Sequence, residues 1–160
     1  MDKTLVRGAM LIALTVVLQS LRLFIPLPPM ASMFFIGTLV NMMLAVTVRL
    51  AGLKPALLAV VLLPFFAYLH LPIPLLIPVV IGGNAVFVLI CHWAWHRGLM
   101  LAPLAKTICM FTSSLVLLKV LALPEKMVFA IGFMMGWPQM VTGICGILLA
   151  RLITKRTANF

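Results

Sequence analysis

Acidic residues are nearly missing from this chain of 160 residues: Asp2 and Glu125 stand against twelve lysines and arginines. Their scarcity excludes paired carboxylates for general acid–base catalysis, a carboxylate set for Mg²⁺, and an intramembrane Asp or Glu to carry a coupled proton. The three cysteines, Cys91, Cys109 and Cys145, lie far apart in apolar sequence and read as small buried hydrophobes rather than a disulfide or metal framework. No G-x-x-x-x-G-K-[ST] run occurs, so any ATP hydrolysis belongs to another chain. Only 9% of residues are charged, while 65% are hydrophobic and the mean hydropathy is +1.29. These values exclude an ordinary soluble domain and describe a bundle of membrane spans, a single domain over residues 1–160.

Six apolar runs divide the chain. The spans are expected at about Leu5–Ile25, Phe34–Leu50, Pro55–Leu71, Pro72–Trp95, Ala102–Leu123 and Val128–Ile153. Pro26, Pro28 and Pro29 cannot continue the first, and the uncharged stretch PLPPMASM that follows reads as a stiff, partly embedded loop able to cover a site. Pro72, Pro74 and Pro78, with Gly82-Gly83-Asn84, predict irregular backbone in the fourth span; Gly136-Trp137-Pro138-Gln139 predicts a break in the sixth. There is no convincing internal repeat, and no cleavable signal peptide is evident because the first run is long enough to span.

The net charge of +10 raises nucleic acid as a partner, but the cations flank apolar runs instead of forming a patch. With six crossings, Lys3, Arg7, Arg49, Lys54, Arg97, Lys106, Arg151, Lys155 and Arg156 fall on the side of both termini, nine of the twelve. Arg22, Lys119 and Lys126 fall on the other. The positive-inside rule then places both termini in the cytoplasm. The expected fold class is an all-α integral membrane protein, a six-helix transmembrane bundle.

The first span has two working faces. Ala9, Ala13, Val16 and Ser20 make a stripe of small or slim residues suited to close helix contact. Gly8, Ile12, Thr15, Gln19 and Arg22 make a second stripe roughly 110° round the helix, with its polar groups toward the outer end. Ala9 and Ala13 are therefore expected to dock a partner, and Gln19 and Arg22 to serve a ligand.

At about 1.5 Å per helical residue, Arg22 lies roughly 5 Å, Gln19 roughly 9 Å and Asn41 roughly 10 Å in from the outer ends of their spans, and Asn84 roughly 15 Å into the fourth. Gln139 falls near mid-membrane, and Lys119 and His70 near the outer rim. Shared depth makes Gln19, Arg22, Asn41, Asn84, Lys119 and Gln139 the candidate substrate-binding residues, in a pocket open to the outside. With no carboxylate to pair with, the cations call for a ligand with an anionic or strongly hydrogen-bonding part, and Trp137, Tyr68 and Phe35 offer rings to stack on a flat molecule. Each group also has a structural use. Arg22 and Lys119 can snorkel to the interface, Asn41 and Asn84 can bond between helices, and Gln139 can satisfy the carbonyl freed by Pro138.

His92 and His96 stand at i and i+4, a metal-ligand spacing, but no third ligand accompanies them and interfacial packing beside Trp93 and Trp95 explains them. Ser113 or Ser114 with a histidine would make a nucleophile pair, yet no motif supports one. No metal, cofactor or catalytic constellation is expected.

A basic, nearly acid-free chain of this length that begins R-G-A-M-L-I-A at Arg7 resembles the substrate-binding S component of energy-coupling-factor vitamin transporters. The likeness covers the whole chain in architecture. Ala9-x-x-x-Ala13 is similar to the Ala-x-x-x-Ala by which such subunits dock on a coupling membrane subunit, and GTLVN (Gly37–Asn41), IGGN (Ile81–Asn84), Leu118-Lys119 and WPQMVTG (Trp137–Gly143) also resemble members of that family. Asp2 replaces the N-terminal Met-His of its cobalt and nickel branch, which argues against a metal ion as substrate. The resemblance implies a multi-pass protein of a bacterial plasma membrane that holds a vitamin-like small molecule in an outward pocket. It implies as partners the bilayer, a coupling membrane subunit and two cytoplasmic ATPases, with no nucleic acid. A stand-alone small transporter or channel without ATP coupling is the alternative.

Overall fold

The computed structural model describes residues 3–67 and 74–157. Tyr68, His70 and Pro72 lie outside the described residues. The described chain is all-α. Its elements are α1 (Lys3–Phe24), α2 (Pro29–Ala51), α3 (Leu53–Ala67), a 3-10 turn (Pro74–Leu76) leading into α4 (Ile77–Trp93), α5 (Leu101–Val120), α6 (Glu125–Met135) and α7 (Trp137–Thr157). Five stretches are long and apolar enough to cross a membrane: α1, α2, α4 with its leading turn, α5, and α6 with α7 taken together; α3 is shorter, at 15 residues.

Proline sets the helix boundaries, though not always as expected. Pro29 opens α2, where its missing N–H is no loss and its fixed φ suits a helix, and Ser32 N–H donates to Pro28 O at 2.9 Å. The stretch Pro29–Met33 is thus the first turn of α2 and not a covering loop, which places Ser32 inside the bundle. Gly52 joins α2 to α3 with φ +91°, a conformation open to glycine at little cost, and its N–H closes α2 on Thr47 O and Val48 O.

Gly136 divides the last apolar run into α6 and α7 at the expected position. The entry to the fourth span is irregular as expected, a 3-10 turn at Pro74–Leu76, but its middle is not: α4 runs regularly through Gly82, Gly83 and Asn84. Gly83 is there for close packing, since a Cβ at that position would collide with the Met110 side chain of α5.

The core lies along α2, which is buried from Asn41 to Val48, and gathers Leu44, Val60, Leu63, Phe87, Val88 and Ile147 from four helices. Two further glycines let α7 approach its neighbours. A Cβ on Gly146 would stand 2.7 Å from Asn41 Cβ and 2.8 Å from Met42 N; one on Gly143 would stand 2.8 Å from Pro103 Cβ. Outward-facing apolar side chains such as Val17, Phe65, Val116, Phe129 and Leu152 are the pattern of a bundle whose surrounding solvent is lipid.

The peripheral helix is α1, whose buried described residues are Gly8 and Thr15, where α2 is buried along most of its second half. Gly8 packs on Pro55, and Thr15 is buried, so the polar stripe faces inward as far as Gln19, while Arg22 at its end is exposed. Ala9 and Ala13 face out.

Candidate functional site: a polar cavity around Lys106

One cavity of about 180 Å³ lies between all the helices, and among the described residues no carboxylate lines it. It collects five of the six candidate ligand residues: Gln19 and Arg22 from α1, Asn41 from α2, Asn84 from α4 and Gln139 from α7. The sixth, Lys119, is not among them. It sits exposed in the last turn of α5, where a cation meets the negative end of the helix dipole.

The cation that does enter is Lys106, expected among the flanking charges and found 3% exposed in the second turn of α5. The reason is its register. Pro103, Lys106, Met110, Ser114 and Leu118 form the buried face of α5, so the side chain at 106 must point into the bundle. That three-and-four spacing was present in the sequence and is the signal that could have found it.

Lys106 Nζ donates to Asn41 Oδ1 at 2.6 Å, and Asn41 Nδ2 donates to Thr142 Oγ1 at 3.2 Å. Thr142 Oγ1 donates onward to Gln139 O at 3.1 Å. The chain of bonds crosses from α5 through α2 to α7, and the close contacts at Gly143 and Gly146 are what bring these three helices within reach. The ammonium also stands 5.4 Å from the centre of the Phe87 ring, a cation–π distance. An ammonium has three donors, and Asn41 takes one.

Asn41 is therefore occupied within the fold, and Gln139 has its amide donor engaged there. Asn41 uses both ends of its amide to hold Lys106 and Thr142. Gln139 Nε2 donates to Met134 O at 3.1 Å, the carbonyl that Pro138 leaves without its helical N–H. The break at Gly136 is repaired by this side chain.

Three other polar groups are unspent. Gln19 donates Nε2 to Leu63 O at 3.1 Å, but Gln19 Oε1, Ser32 Oγ and Asn84 Oδ1 are buried with no hydrogen-bond partner. All three residues line the cavity. An unsatisfied buried polar atom costs roughly 1–3 kcal/mol, so three around one cavity is an arrangement that asks for a partner from outside.

The remaining wall is apolar and flexible. No aromatic side chain lines the cavity among the described residues; Met33, Met110, Met134 and Met135 do, and their polarizable thioethers can adapt to a ring. Of the expected aromatic platform, the two described members, Trp137 and Phe35, lie elsewhere. Trp137 packs against Phe34 and Phe133, each with centroids 5.6 Å away, and Phe35 is exposed. The i, i+4 pair of histidines is not formed on a helix either, because α4 ends at Trp93 between them.

Fold and cavity together define an all-α, membrane-type helical bundle with a polar pocket at its centre. Comparison of the chain with protein-family models, with curated proteins and with solved structures finds no match.

Proposed function

We propose that the chain is the membrane-embedded, high-affinity substrate-binding subunit of an ATP-driven importer of the energy-coupling-factor type, taking up a vitamin or a related small organic micronutrient. The observation that carries this reading is the cavity in which Gln19 Oε1, Ser32 Oγ and Asn84 Oδ1 are buried without partners beside the cation of Lys106. A ligand with N–H or O–H donors would satisfy Gln19 and Asn84. An acceptor or anionic group on the same molecule would meet Lys106, with Arg22 contributing from the end of α1.

The exposed Ala9 and Ala13 on the least enclosed helix support docking on a coupling membrane subunit, with cytoplasmic ATPases supplying the hydrolysis that this chain has no motif for. With Lys106 counted inside the bundle, eight of the other eleven basic residues still lie on the side of the termini. This bias supports a plasma-membrane protein with both termini in the cytoplasm.

The test is native mass spectrometry of the protein purified in mild detergent from its own source. A stoichiometric small molecule, together with co-purifying ATPases and a membrane subunit, is the expected result. An empty protein that transports solute alone in liposomes without ATP would replace this reading with a stand-alone transporter.

A further inference from the structure

A second cavity, of about 520 Å³, lies at the end of the bundle where the last turn of α2, the segment after α4 and the C-terminal part of α7 meet. Among the described residues its lining is Arg49, Leu50, Trp95, Arg151, Thr154, Lys155 and Thr157: three cations and no carboxylate. The two arginines are gathered on one residue. The Arg49 guanidinium lies 5.8 Å from the centre of the Trp95 ring, and Arg151 Nη2 donates to Trp95 O at 3.5 Å.

Like charges held together in a concave site need an anion, and none of the described residues lining it supplies one. Thr154 Oγ1 donates to Ala150 O at 2.9 Å and Thr157 Oγ1 to Ile153 O at 3.2 Å. Their hydroxyl hydrogens are already used, so Arg49, Arg151 and Lys155 are left as the donors. Planar guanidinium groups beside an ammonium match the several oxygens of a phosphate. Exposed apolar side chains neighbour the lining residues along the chain: Leu148, Leu152 and Ile153 on α7 and Trp93 at the end of α4. A free phosphate has no use for that surface, whereas a lipid would lay its acyl chains along it.

We propose that this cavity binds the phosphate of an anionic phospholipid headgroup. The site holds independently of what the central cavity carries. The experiment compares retention of phosphatidylglycerol and phosphatidylcholine by the full chain in native mass spectrometry, and thermal unfolding in detergent with each lipid or with free glycerol phosphate. Phosphatidylglycerol is expected to be retained at least about tenfold over phosphatidylcholine, and each of Arg49→Gln, Arg151→Gln and Lys155→Gln to lower its retention roughly fivefold.

The double variant Lys54→Gln, Arg97→Gln removes charge from the same flank without touching the cavity, and is expected to keep the preference. Equal loss in that control would reduce the effect to diffuse surface charge and overturn the proposal, as would unchanged retention in the three cavity variants. Stabilisation by glycerol phosphate equal to that by phosphatidylglycerol would assign the cavity to a free anion and overturn the lipid.

Discussion

Lys106 Nζ donates to Asn41 Oδ1 across 2.6 Å in the interior of the bundle, and no carboxylate among the described residues lines the cavity that holds them. The amide oxygen orients Lys106 Nζ and brings no charge of its own. A neutral holder leaves the remaining donors of the lysine available to a ligand.

This pairing makes the two residues unequal under mutation. Asn41→Ala strands a buried cation and also removes the bond to Thr142, and is expected to destabilise the fold by about 3 kcal/mol. Lys106→Met replaces the cation with an apolar chain of similar length and is expected to leave stability within about 1 kcal/mol of the parent, or to raise it, while abolishing retention of the co-purifying ligand. Thermal unfolding in one detergent, read beside ligand retention, separates the two. Equal destabilisation by both variants would show that the ammonium is structural.

The unsatisfied oxygen of Asn84 and the exposed position of Lys119 predict opposite outcomes at two residues with equal claims in the sequence. Asn84→Ala is expected to weaken ligand binding by about 1–3 kcal/mol, the scale of a lost buried hydrogen bond. Lys119→Ala is expected to leave affinity unchanged. Titration of the ligand identified by mass spectrometry measures both, and a loss at Lys119 with none at Asn84 would move the pocket toward the rim.

Close approach at Gly146 predicts a packing effect. Gly146→Ala would push a methyl against Asn41 Cβ and the backbone of α2, where nothing can yield cheaply, and is expected to cost about 1–3 kcal/mol. At Gly82 a Cβ meets nothing within 4 Å, so Gly82→Ala is expected to be neutral or stabilising by up to about 1 kcal/mol. Unfolding temperatures of the two variants give the comparison.

The outward stripe of α1 predicts loss of assembly without loss of binding. Ala9→Leu with Ala13→Leu adds bulk only to exposed positions and leaves Gln19 and Thr15 as they are. Co-purification of partner subunits and cellular uptake are expected to fall while the isolated protein keeps its ligand. Normal uptake in the double variant would sink the docking role.

The all-α membrane-type architecture, the break at Gly136 and the inward face of α1 from Gly8 to Gln19 were legible in the chain before folding. These follow from quantities local to the chain: the length of apolar runs, the missing N–H of proline and the 3.6-residue period. Five of the six ligand candidates reached one cavity because polar side chains at similar depth in packed spans have nowhere else to converge. Lys106 was misplaced for the opposite reason. Near a helix end, a flanking cation and an inward cation look alike in one dimension, and only the rotation of α5, fixed by Pro103 on Gly143 and Met110 on Gly83, turns this one inside. The division of labour among the amides was likewise a tertiary matter. Asn41, Gln139, Gln19 and Asn84 are the same chemistry in sequence. Which of them is consumed by the fold and which is left open depends on partners up to 101 residues away, as in the bond from Asn41 to Thr142.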